Sequence, residues 1–172
     1  MNNAGLETSI QNEIMALVDD RKSLMLSSLD EEGLPYASYA PFAFDERHLY
    51  VLISDIAVHG RNLRANPQAS VLIIEDESSA AELFARVRVF YRVRASLLAP
   101  DSADWQTGIR VLQARHGQRI ESLSQLSDFR LFRLQPEGGR YVKGFGKAYQ
   151  IEGGSLAGES LQHLREGHKK RN

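Results

Sequence analysis

Between residues 85 and 98 the chain alternates with a period of two. The odd positions Ala85, Val87, Val89, Tyr91, Val93, Ala95 and Leu97 are apolar, while the even positions include Arg86, Arg88, Phe90, Arg92 and Arg94. Such a pattern predicts a strand with one apolar and one guanidinium-rich face. Guanidiniums stay charged, and their planar forks match carboxylates and phosphates. Four on one face repel unless they are solvated, paired with acids from a neighbour, or turned toward an anionic ligand. The pattern is compatible with each.

Two further segments could hold a planar anion. Ser54-Asp55-Ile56-Ala57-Val58-His59-Gly60-Arg61 reads as a capped helix entrance, where free N–H groups and the positive dipole end favour a phosphate or carboxylate near Arg61. A plain capped helix accounts for the same residues. In Val142-Lys143-Gly144-Phe145-Gly146-Lys147-Ala148, Gly144 and Gly146 fall on one strand face with Ala148. That face lacks bulk, so a flat ligand or a second backbone can come close.

The five histidines are His48, His59, His116, His163 and His168. No pair has the spacing of a helical zinc motif, and no nucleophile-elbow sequence is present. His163 and His168 lie in a polar C-terminal stretch where a histidine is ordinarily just solvated, although a mobile imidazole can serve as an axial metal ligand.

The elements that must position these residues follow from periodicity. Ile10, Ile14, Leu17 and Val18 make one helical stripe, and Thr8 with Gln11 suggests a capping box, giving an N-terminal helix within residues 1–21. Strands are expected at Ser23–Leu29, Pro35–Phe44, His48–Ile53, Val71–Ile74, Ala85–Leu98, Phe129–Gln135 and Tyr141–Ile151. Pro136-Glu137-Gly138-Gly139 joins the last two. Helices are expected after Ser54-Asp55 and after Pro100-Asp101. Short connections favour antiparallel neighbours, so the fold class is mainly β (α+β), an antiparallel barrel with peripheral helices. Residues 1–172 read as one domain, with 153–172 a C-terminal tail.

Composition narrows the function. The 172 residues carry a formal charge of −1 and no cysteine. Thiolate zinc sites, iron–sulfur clusters, disulfides and cysteine nucleophiles are excluded. No basic field favours nucleic acid or an anionic membrane. The start lacks the pattern of a signal peptide and no apolar run reaches bilayer length, so a cytoplasmic protein is expected.

Taken together, Ser38-Tyr39-Ala40-Pro41-Phe42, Leu52-Ile53-Ser54, Arg61-Asn62-Leu63, Asn66-Pro67, Ile74-Glu75-Asp76-Glu77 and Leu83-Phe84-Ala85-Arg86 resemble a known family. So do Ser124-Gln125-Leu126, Asp128-Phe129, Leu131-Phe132-Arg133-Leu134, Val142-Lys143-Gly144-Phe145-Gly146 and Gly167-His168. They are similar to the heme-utilisation proteins of the HugZ/HutZ type. These belong to the split-barrel superfamily that also holds pyridoxamine-phosphate oxidases and other FMN-binding proteins. The resemblance implies an FMN-binding-like split barrel, a homodimer, and heme held near the subunit interface. It implies His168 as the ligand to the heme iron, Asp128 of the other subunit hydrogen-bonded to that imidazole, and Arg88 on the oxygen-binding side or near a propionate. Arg86 and Arg61 are further candidates for anion contact, and Gly144 and Gly146 for close approach. The implied reaction is oxidative opening of heme with release of iron, driven by an unidentified electron donor. An FMN oxidoreductase and a non-catalytic heme store are the alternatives.

Overall fold

A computed structural model describes residues 3–164 of the chain. Helix α1 (Asn3–Asp20) lays Ile10, Ile14 and Val18, all nearly inaccessible, against the sheet interior. The helix starts before Thr8, so no capping box forms there. Thr8 instead donates its hydroxyl to the Ala4 carbonyl at 3.0 Å, the back-bond of a threonine inside a helix. Gln11 reaches across to the Gly158 carbonyl at 3.0 Å.

Nine strands follow among the described residues: β1 (Ser23–Leu29), β2 (Pro35–Pro41), β3 (Ala43–Phe44), β4 (Leu49–Ser54), β5 (Gln68–Ile74), β6 (Arg88–Leu97), β7 (Phe129–Val142), β8 (Ala148–Glu152) and β9 (Ser160–Leu164). Every pairing is antiparallel, in the order β2-β1-β5-β6-β7-β4-β3, with β8 on β7 and β9 on β8. Strands β2 and β3 sit at opposite edges of that order, yet only the buried Phe42 separates them. The chain therefore joins the two edges, which curls the sheet into a barrel. Val71, Val89, Tyr91, Val93, Phe132 and Leu134 fill the interior with the stripe of α1. The split barrel expected from the sequence is the fold observed.

Three local readings need correction. Pro136 to Gly139 is no connector, because β7 runs unbroken for 14 residues. The pairing shifts between Tyr91↔Gly139 and Val93↔Pro136, so Glu137 and Gly138 together oppose Arg92. This is a β-bulge that bends the long strand around the barrel. The arginine-rich strand begins at Arg88, and Leu83–Ala85 before it is a turn of 3-10 helix, which removes Arg86 from the stripe. Lastly, residues 160–164 of the expected tail join the sheet as β9.

Helix α2 (Val58–Ala65) links β4 to β5, and its buried Asn62 donates to Ser28 of β1 at 3.0 Å. Helices α3 (Ala103–His116) and α4 (Arg119–Ser124) cover the outer side of β4 and β7, with Leu112 and Ile120 against Tyr50, Leu52 and Leu131. Arg115 of α3 ties this layer to α1. Its guanidinium donates to the carbonyls of Val18, Asp19 and Arg21 and lies over the rings of Phe42 and Phe44. No helix among the described residues is long and apolar enough to cross a membrane.

Candidate functional site

The outer faces of β6 to β9 form the floor of a cleft of about 860 Å³. Register places two outward rows across the four strands. One row is Arg88, Val142, Ala148 and Leu164; the other is Phe90, Arg140, Gln150 and Gln162. The alternate residues Val89, Tyr141 and Tyr149 point inward and are buried. Phe84, 88% exposed on the 3-10 turn before β6, stands at the margin with Phe145. The cleft is thus floored by sheet and mixes aromatic and aliphatic side chains with polar ones, with two guanidiniums and no carboxylate among its described lining residues.

Gly144 and Gly146 line the same cleft, but from the hairpin turn between β7 and β8 and not from a strand face. The turn closes through Lys143 N–H to Lys147 O at 3.0 Å and Lys147 N–H to Gly144 O at 3.1 Å. Both glycines have positive φ, +149° and +67°, and a Cβ on either would meet open space. The backbone is therefore bare toward the cleft, which suits close approach of a planar ligand.

Arg88 donates to the Arg86 carbonyl at 2.9 Å and has no carboxylate partner among the described residues. Arg86 is not brought to this cleft. It donates to the Glu75 carbonyl, pairs with Glu77 at 3.3 Å, and lines a separate mixed-charge hollow with Arg21, Glu75 and Asp76. Arg61 is elsewhere too, on the first turn of α2, where it donates to the Ile56 carbonyl at 2.5 Å.

Asp128 immediately precedes β7. Ser54 donates its hydroxyl to Asp128 Oδ2 at 2.5 Å, and the Asp55 N–H donates to the Asp128 carbonyl at 2.8 Å. Ser54 and Asp55 therefore do not cap α2, whose N-cap position is Ala57 with no side-chain bond. Asp55 instead takes Arg130 at 2.9 Å and Arg64 at 3.1 Å, tying α2 to β7. One carboxylate oxygen of Asp128 is oriented by Ser54, and Oδ1 has no hydrogen-bond partner among the described residues.

The described histidines have structural neighbours. His48 Nδ1 meets Asp45 at 3.2 Å. His116 Nε2 donates to the Phe42 carbonyl at 2.7 Å. His163 stacks on Tyr149 at 4.9 Å, with Nε2 at 3.3 Å from the Gly146 carbonyl. His59 Nδ1 lies 3.0 Å from Ser38 Oγ, and that hydroxyl donates to the Leu26 carbonyl at 3.2 Å. Ser38 thus accepts from His59 Nδ1–H, and burial lowers the His59 pKa and favours the neutral ring. His168 lies outside the described residues. Sequence reasoning missed Arg140, Gln150 and Gln162. Arg140 precedes Val142 by two residues, so strand alternation alone would have put both on one face.

The family model for pyridoxamine 5'-phosphate oxidase matches residues 10–143. HutZ of Vibrio cholerae serotype O1, named a heme oxygenase, is 47% identical over 165 residues, 96% of this chain and 93% of that protein. The chain belongs to the pyridoxamine 5'-phosphate oxidase family, in its HugZ/HutZ branch. Among solved members of that branch, V. cholerae HutZ, there described as a heme storage protein, superposes with a TM-score of 0.75 at 45% identity. That match covers 78% of this chain and 96% of the other. Campylobacter jejuni ChuZ gives a TM-score of 0.83 at 31% identity, covering 99% of this chain and 68% of its own.

Proposed function

We propose that the chain binds heme in the cleft over β6 to β9 and opens it oxidatively to a linear tetrapyrrole, releasing iron, as a homodimer. The observation that carries this reading is the cleft itself: floored by sheet, offering aromatic and aliphatic contacts beside polar ones, bordered by bare glycine backbone, and supplied with two guanidiniums uncompensated by any described lining carboxylate. Its size lies in the range of small-molecule sites. A planar apolar dianion such as heme matches it in shape and charge. Heme is here the substrate, and its iron supplies the oxidative chemistry on its own macrocycle when an external reductant and dioxygen are present.

The protein's share is binding and orientation. Leu164 lines the cleft, and His168 follows by four residues, at most about 14 Å of extended chain. Its imidazole can therefore reach a ligand on the floor and serve as the iron ligand. The part assigned to Asp128 is to accept the far N–H of that imidazole, fixing its tautomer and raising its basicity. Ser54 orients the carboxylate for that task. Arg88 contributes a charged donor directed at the bound ligand. We read both HutZ descriptions, oxygenase and store, as compatible with this ligand set, because storage needs the same iron ligand.

Turnover separates the two. Protein loaded with hemin is given a reductant and oxygen in the presence of catalase, which removes the peroxide that bleaches heme non-enzymatically. Loss of the Soret band with appearance of an open tetrapyrrole and chelatable iron is the expected result. Intact heme at the end leaves a storage protein.

A further inference from the structure

We infer that Arg140 holds the carboxylate edge of the ligand and so sets which way round the macrocycle lies in the cleft. This rests on the heme reading above and adds an orientation to it.

Three outward arginines elsewhere on β6 and β7 are matched to acids, while Arg92 donates only to the Glu137 carbonyl at 3.4 Å. Arg94 meets Glu137 at 2.8 Å, Arg130 meets Asp55 at 2.9 Å, and Arg133 meets Asp104 at 3.0 Å. Arg140 differs from all of these in having neither an acid nor a carbonyl partner among the described residues. It is exposed on the cleft floor, makes no ion pair or hydrogen bond among the described residues, and its row neighbours are Phe90 on one side and Gln150 on the other. Gln162 continues the row on β9. A solvated arginine needs no acid, but one cation amid amide donors and no lining carboxylate is the makeup of an anion subsite.

The two rows are chemically unequal. Beyond Arg88, the first row is Val142, Ala148 and Leu164, with the glycine hairpin joining Val142 to Ala148 at its middle. The second offers a guanidinium and two carboxamides. A ligand apolar across most of its face and carrying carboxylates on one edge satisfies both rows in one orientation, with its carboxylates toward Arg140, Gln150 and Gln162. Arg88 is the diagonal neighbour of Arg140 across β6 and β7, a separation of about 7 Å between such Cβ atoms. In this orientation it faces the macrocycle and leaves the carboxylates to Arg140.

The test is absorption titration with hemin and with hemin dimethyl ester, which has the same macrocycle without the charges. Wild type should bind hemin more tightly than the ester. R140Q should weaken hemin about tenfold, the scale of one charge-assisted hydrogen-bonded contact, and leave the ester unchanged. R140K should keep part of the preference. R140Q binding hemin like wild type, or weakening both ligands alike, overturns the inference while the heme reading stands. Wild type that saturates with neither ligand overturns the heme reading itself, and this inference with it.

Discussion

Arg88 and Asp128 stand at opposite ends of one strand. Arg88 pairs with Val142, the last residue of β7, and Asp128 precedes Phe129, its first. Fourteen residues make a path of about 45 Å, shortened somewhat by the bulge. Strand β7 thus stands between the two residues within one chain, and the reading proposed above draws Arg88 and Asp128 of one site from two copies. Mixing R88A with D128A chains, each inactive alone, should restore turnover, because one site of each mixed dimer then has both native residues. Recovery to about a quarter of wild-type sites is expected for random pairing. No recovery, with mixed dimers confirmed by mass spectrometry, would place the two residues in different roles.

Ser54 gives Asp128 its orientation through a 2.5 Å hydrogen bond. Ser54→Ala should cost about 1 kcal/mol of stability, the usual net worth of such a bond. It should also shift the hemin spectrum in the same sense as D128A, but less. Denaturant melts and absorption spectra check the two effects separately.

Gly146 has φ +67° and no atom near its missing Cβ. Gly146→Ala therefore meets only backbone strain, about 1 to 2 kcal/mol for a left-handed alanine. A methyl on the cleft margin should in addition weaken hemin binding. Equal hemin affinity in a folded variant would mean that the ligand does not approach the hairpin.

Arg115 joins α3 to the end of α1 through three carbonyls and pairs with Asp19 at 3.0 Å, its side chain only 10% exposed. Arg115→Ala should lower stability by roughly 2 to 4 kcal/mol without changing hemin affinity in the folded protein. Urea unfolding followed by titration distinguishes the two.

Burial holds the pKa of His59 below its usual value near 6.5. The unfolded chain therefore binds this proton more readily than the folded one, and stability should fall as pH drops through about 6.5. His59→Gln should flatten that part of the pH–stability curve. An unchanged curve would assign the dependence to other groups.

Much of the fold was legible because alternation in β6 and the stripe of α1 both report burial, which the barrel interior enforces. The errors share a cause. Pro136 to Gly139 has turn composition, yet tertiary pairing with β6 makes it a bulge. Ser160 to Leu164 carries too little apolar alternation to announce an edge strand. Arg86 continues the arginine pattern in sequence, but the 3-10 turn at Leu83–Ala85 removes it in space. In the cleft, Arg88 and the glycines were visible as types, whereas Arg140 gained meaning only from the row that β8 and β9 complete.

The most direct test of the central claim is an absorption titration of purified protein with hemin, wild type beside His168→Ala. The account predicts a saturable, sharpened Soret band in the wild type that is lost or markedly altered in the variant. No saturable hemin binding, with yellow fluorescent flavin co-purifying instead, would contradict it and make the cleft a flavin site.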